Sequence, residues 1–100
     1  MFFSQNKSVA NSLSLSTYEL YFGYTAGSQN VTVTISPSGS VPVITDDALW
    51  ITTSYSAPTL TISVTAHKLG YPNRFGNVTV THPDDAGIFQ EILISQGEIL

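Results

Sequence analysis

Apolar and polar residues alternate with a period of two along most of this chain, and no segment shows a helical stripe. From Ser12, Leu13 and Leu15 alternate with serines; Leu20 and Phe22 then alternate with Glu19 and Tyr21. Residues 23–28 (GYTAGS) read as a turn. Gln29 to Ser36 is the clearest strand, with Val31, Val33 and Ile35 on one face and Asn30, Thr32 and Thr34 on the other. Pro37-Ser38-Gly39-Ser40 ends it. Val41 to Thr45 resumes with Pro42, whose missing N–H suits an edge strand. Asp46-Asp47 turns the chain into Leu49-Trp50-Ile51. Past Ala57-Pro58, Thr59 to Ala66 sets Leu60, Ile62, Val64 and Ala66 on one face. A ten-residue connection, HKLGYPNRFG (67–76), leads to Asn77–Thr81 with Val78 and Val80 inward. A turn at residues 82–87 (HPDDAG) precedes a last strand from Phe89 to Gln96.

Short strands with turn signals every 8–12 residues predict an all-β fold, an immunoglobulin-like antiparallel β-sandwich of about seven strands. A barrel of similar strand count is the alternative. Parity assigns Val33, Trp50, Ile62, Val80 and Ile94 to the core. Gln96 shares the parity of Ile92 and Ile94, which favours an inward amide bonded to neighbouring backbone, the alternative being exposure where the strand frays. Residues 1–12, polar apart from Phe2 and Phe3, read as a flexible N-terminal arm, and residues 13–100 as a single domain.

Composition sharpens this picture. Val, Ile and Thr supply 28 of the 100 residues, a strand-forming bias, and Ser plus Thr supply 25 while charged residues make up only 10%. Solubility therefore rests on hydroxyls. Three basic against seven acidic side chains give net −4, which argues against a phosphate-backbone binder. With no cysteine there is no disulfide, thiolate zinc site or Cys nucleophile. No 18-residue apolar run is present, and the start MFFSQNKSVANS lacks the pattern of a secretory leader. The expectation is a chain made in the cytoplasm without a signal peptide, the alternative being a fragment of a longer secreted or cell-surface protein.

The order of segments carries a resemblance. SLSLSTYELYFGYTAGSQNVTVTIS, ALWITTS, TLTISVTA, RFGNVTVTH and ILISQGE follow one another in a way that resembles the BACON domain family. That family is named for a Bacteroidetes-associated, carbohydrate-binding, often N-terminal domain. The matching positions are Leu13, Leu20, Phe22, Gly27, Ser28, Val31, Val33, Trp50, Ile51, Arg74, Gly76, Val78, Val80 and Gln96, within residues 12–98. Many members carry a further Trp on the strand before the Trp-Ile segment; here that strand reads Val41-Pro42-Val43, and no role for that aromatic is carried over. The resemblance implies a small all-β module without catalytic residues or cofactors. It also implies carbohydrate or mucin binding, or, as in phage structural proteins, decoration and attachment.

Candidate contact residues fall into two groups. The 67–76 connection holds His67, Tyr71, Arg74 and Phe75 beside Lys68 and Asn73, and loops rich in Tyr and Arg favour recognition. The bland alternative packs Phe75 beneath the loop and pairs Arg74 with a surface carboxylate. Tyr21 points outward by parity and, with Tyr18 or Tyr24, forms a candidate interface patch. Trp50 reads either as a sugar-stacking platform or as a core plug, and its neighbours Leu49 and Ile51 favour the core. His82 with Asp84 and Asp85 has metal-ligand residue types but reads as a turn, as does Asp46-Asp47, so no metal is expected. Two sequons, at Asn30-Val31-Thr32 and Asn77-Val78-Thr79, lie at strand starts. Serines and histidines are present without a Gly-x-Ser-x-Gly elbow, so no catalytic residue is assigned.

The functional expectation is a non-enzymatic structural or attachment protein of a phage virion surface or capsid decoration type. Its partners would be other virion or shell proteins or neighbouring copies, with no nucleic acid and no membrane. The alternative is a carbohydrate- or mucin-binding module of a secreted glycan-processing protein or adhesin.

Overall fold

The computed structural model describes residues 10–97. Eight strands follow in order: β1 (Ser12–Leu15), β2 (Glu19–Phe22), β3 (Gly27–Ser36), β4 (Val43–Asp46), β5 (Ile51–Ser56), β6 (Thr59–Val64), β7 (Arg74–His82) and β8 (Asp85–Gln96). They form two four-stranded sheets, β1-β3-β6-β5 and β2-β8-β7-β4, and no helix is present among the described residues. The all-β reading therefore holds, with one strand more than expected. The extra strand arises because the first extended stretch divides: β1 pairs antiparallel with β3 in one sheet, and β2 crosses to pair with β8 in the other. That second pairing is parallel, so the sandwich is not wholly antiparallel.

The inward faces follow the alternation. Val31, Val33, Leu60, Ile62 and Val64 from the first sheet meet Leu20, Phe22, Val78, Val80, Ile92 and Ile94 from the second, with Leu13, Leu15 and Ile51 completing the core. Val33, Ile62, Val80 and Ile94 are buried as parity predicts. Trp50 is not: it is half-buried, because it lies in the turn before β5 rather than within a strand, and strand parity does not reach it. Ala66 is exposed for a similar reason, β6 having ended at Val64. Arg74, Phe75 and Gly76 belong to β7, so the β6–β7 connection spans only 65–73. The turn between β7 and β8 narrows to Pro83-Asp84, with His82 opposite Asp85. Ser12, read as the end of the arm, begins β1 opposite Ser36; residues 1–9 of that arm lie outside the described residues. Pro42 does precede an edge strand, since β4 closes the second sheet.

The two outward faces differ in chemistry. The first sheet contains no charged residue on any of its four strands. Its outward positions are Ser12, Ser14, Ser28, Asn30, Thr32, Thr34, Ser36, Thr52, Ser54, Ser56, Thr59, Thr61 and Ser63. These run in rows across the strands, such as Ser28–Ser63–Thr52 and Asn30–Thr61–Ser54. Within the rows Ser28 Oγ lies 2.7 Å from Ser63 Oγ, and Thr61 Oγ1 donates to Asn30 Oδ1 at 2.9 Å. The second sheet instead exposes Tyr21, Phe75, Leu93, Phe89 and Val43 among Glu19, Glu91 and threonines.

Gly76 shows how closely β7 packs. A Cβ there would lie 2.7 Å from Ile51 Cδ1 and 3.3 Å from both Ala48 Cβ and Asp47 Oδ1. Gly76→Ala is expected to cost about 1–3 kcal/mol through overpacking. Denaturant unfolding measures this, and an unchanged midpoint would show that Ile51 yields freely.

Candidate functional site

At one end of the sandwich, the β2–β3 turn, the β6–β7 connection and the ends of β7 and β8 converge on Gln96. Its side chain is fully buried, and burying an amide is tolerable only when both ends are bonded. Gln96 Nε2 donates to Thr65 O at 2.8 Å and Gly23 O at 3.1 Å, with Thr25 O at 3.5 Å. Its Oε1 accepts from Arg74 Nε at 2.9 Å and Nη2 at 2.6 Å. The inward, backbone-bonded amide expected from parity is present.

Arg74 is the next layer. Nη2 also donates to Thr65 O at 3.0 Å, Thr65 Oγ1 at 3.3 Å and Ala66 O at 3.3 Å. The guanidinium carbon sits 4.3 Å from the Trp50 ring centroid, a cation–π arrangement. All of these acceptors are uncharged, and among the described residues Arg74 makes no surface ion pair of the kind considered from sequence. Desolvation by burial lowers its pKa from the ordinary value, and a guanidinium still remains protonated. Arg74 and Trp50 are therefore occupied with each other and with the loops.

Above this layer the connection builds an aromatic stack. The His67 ring lies on Tyr24 with centroids 5.8 Å apart and planes 14° apart, and meets Tyr71 edge-on at 6.4 Å. His67 N donates to Tyr24 O at 2.7 Å, and Tyr24 Oη donates to Tyr71 O at 3.1 Å. His67 Nε2 lies 2.8 Å from Pro72 O; a carbonyl only accepts, which puts the proton on Nε2. Lys68 Nζ stands 5.2 Å from the Tyr71 ring centroid. Tyr71 keeps 53% of its surface exposed.

Tyr21 and Phe75 belong to a different surface. Tyr21 pairs with Ser95, and Ser95 pairs with Phe75, so the three form one row across β2, β8 and β7 on the outward face of the second sheet. Both rings are exposed, at 55% and 63%, while Ser95 between them is buried. Phe75 does not pack beneath the loop, because the alternation of β7 turns it away from Val78 and Val80. With two strand spacings between them, the Tyr21 and Phe75 backbones stand about 10 Å apart. The neighbouring row is Glu19–Leu93–Asn77. It opens onto a shallow depression of about 500 Å³ lined by Thr17, Tyr18, Glu19, Asn77, Glu91 and Leu93.

The six candidate residues thus separate into Tyr24, His67 and Tyr71 at the end of the molecule, Tyr21 and Phe75 on the sheet face, and Arg74 between them as a positioning residue. Leu93 and Asn77 were missed as members of the face. Their outward parity was readable, but their adjacency to Tyr21 and Phe75 needs the strand register. Tyr18 is drawn off toward β1, its Oη accepting from Leu15 N at 3.3 Å. His82 is buried with both ring nitrogens on backbone: Nε2 is 2.6 Å from Ser36 O, and Nδ1 accepts from Asp84 N at 3.1 Å. Compared with protein-family models the chain matches none, and a comparison with curated proteins finds no match.

Gln96→Ala strands the Gly23 carbonyl, takes one of two donors from Thr65 O and removes an acceptor from Arg74, an expected loss of about 3–5 kcal/mol. Arg74→Ala should red-shift Trp50 emission in the folded state as the ring loses its cover. A Gln96→Ala variant within about 1 kcal/mol of wild type would mean that water replaces the amide's bonds.

Proposed function

We propose that this chain is a non-enzymatic attachment module with an immunoglobulin-like fold, which binds a protein surface through the outward face of β2-β8-β7-β4. The strand orders support the fold reading. β1-β3-β6-β5 corresponds to the A-B-E-D sheet of a constant-type immunoglobulin sandwich, and β8-β7-β4 to G-F-C, with a divided first strand adding β2 beside the last. The resemblance to BACON domains agrees with this reading and suggests a phage virion or shell protein as the partner.

The observation that carries the binding reading is the Tyr21–Ser95–Phe75 row. Two exposed aromatic rings sit on central and edge strands of a packed sheet, so their positions are set by the ladder rather than by a loop. Rigid aromatic anchors lose little conformational entropy on binding, and Tyr is enriched at hot spots. Leu93 extends the apolar surface, and Glu19 and Glu91 border it with negative charge. A partner with an apolar site rimmed by Lys or Arg fits this face.

The double variant Tyr21→Ser/Phe75→Ser is expected to keep the wild-type melting transition and to lose about 100-fold or more in affinity for the particle, as two anchor residues would. Tyr71→Ala with Lys68→Ala, at the end of the molecule, is expected to leave incorporation unchanged. Co-sedimentation with particles reads both. If the sheet-face variant incorporates normally while the Tyr71/Lys68 variant loses signal on a glycan array, the carbohydrate alternative replaces this reading.

A further inference from the structure

Each sheet has two edge strands, and an edge displays backbone N–H and C=O groups able to recruit another strand. Three of the four edges are guarded. On β1, Leu13 O accepts from Gln90 Nε2 at 3.2 Å and Leu15 N donates to Tyr18 Oη at 3.3 Å. On β2, Tyr21 O accepts from Gln29 Nε2 at 2.6 Å, and the strand is four residues long with Glu19 in it. On β4, four residues long, Pro42 precedes the strand and Asp46 ends it. The β5 edge has none of these devices. Ile51–Ser56 is six residues long, holds no charge and no proline, and among the described residues no side chain caps its backbone from Thr52 to Ser56.

The charge distribution selects the occupant. The chain carries net −4, so two copies repel wherever their carboxylates face one another. Glu19, Asp46, Asp47, Asp84, Asp85 and Glu91 all lie on the second sheet or in the loops attached to it. The two nearest β5 in sequence are turned elsewhere: Asp47 Oδ1 accepts from Asn77 N on β7 at 2.8 Å, and Asp46 Oδ1 from Ala48 N at 3.4 Å. The first sheet is neutral throughout. Its hydroxyls donate and accept equally, so this sheet is complementary to itself.

We propose that two copies of this chain associate by pairing their β5 strands antiparallel, joining their first sheets into one eight-stranded sheet. A pairing that keeps the hydroxyl faces on the same side sets either Thr53 or Ser54 at the two-fold axis. Thr52 and Ser54, or Thr52 and Ser56, then meet across it, and short polar β-formers cross-pair without a charge penalty. This edge lies on the opposite sheet from the aromatic row, so the proposal stands independently of the attachment reading.

Sedimentation equilibrium of the full chain, over micromolar to millimolar concentrations, reads the association directly. The expected result is a mass rising from 10.8 kDa toward twice that value, with hydrogen-exchange protection of residues 51–56 rising in step. Ser54→Lys, and separately Thr52→Lys, place like charges across the axis and are expected to weaken association about tenfold with unchanged melting. Each lysine also lowers the net negative charge, so a general electrostatic effect would act in the opposite direction. Thr45→Lys on the β4 edge supplies the matched control and should associate at least as well as wild type. A wild-type chain that stays at 10.8 kDa throughout overturns the proposal. So does a folded Ser54→Lys variant that associates like wild type, or concentration-dependent protection outside β5.

Discussion

Gln96 supplies the constraint on which the end of this sandwich depends. The last strand must finish inside the molecule, because β2 adds beside it in parallel and the β6–β7 connection closes over it. Carbonyls of Gly23 and Thr65 and the Arg74 guanidinium all face that position. Only a side chain that donates and accepts from one planar group satisfies them together. A glutamate would accept from Arg74 but offer nothing to the carbonyls, and an aliphatic residue would bond to none of them. Arg74, fixed by this amide and by Thr65, then lies on Trp50, and the connection above is held where His67 stacks on Tyr24.

That arrangement engages both the arginine and the histidine gathered near this end. Their polar atoms are committed to backbone: Arg74 to Thr65 and Ala66, His67 to Pro72, and His82, at the other end, to Ser36 and Asp84. Tyr21, Phe75 and Leu93, by contrast, are exposed because their parity turns them off the second sheet. Exposure and rigidity are thereby divided between residues that stand close together in sequence: Arg74 holds the loop, and Phe75 faces out.

The two sheets also divide the chemistry of the surface. The neutral sheet keeps itself hydrated through Ser and Thr, several already bonded to one another across strands. Among the described residues, the other sheet and its loops carry the acidic side chains and the exposed rings. Such segregation limits the ways in which like copies approach and leaves the aromatic row bordered by negative charge. Neither effect is visible in the net charge alone.

The alternation of Val31 with Val33, of Leu60 with Ile62 and of Val78 with Val80 determined the strands, their inward faces and the all-β class. A period-two pattern commits each residue to one side of a sheet without reference to its partners. The same logic placed Tyr21 outward and Gln96 inward. It failed at Trp50, Ala66 and the bounds of the 67–76 connection, because parity holds only while the chain stays extended, and where a strand starts or stops is decided by its neighbours' ladder. Only the tertiary structure decided that β1 and β2 belong to different sheets, that β2 runs parallel to β8, and that Tyr21 and Phe75 share a row through Ser95. Those outcomes depend on register between segments from about 20 residues apart, as in β1 with β3, to 74 residues apart, as in β2 with β8, and register is set by the fit of two faces packed together, a property no single strand carries.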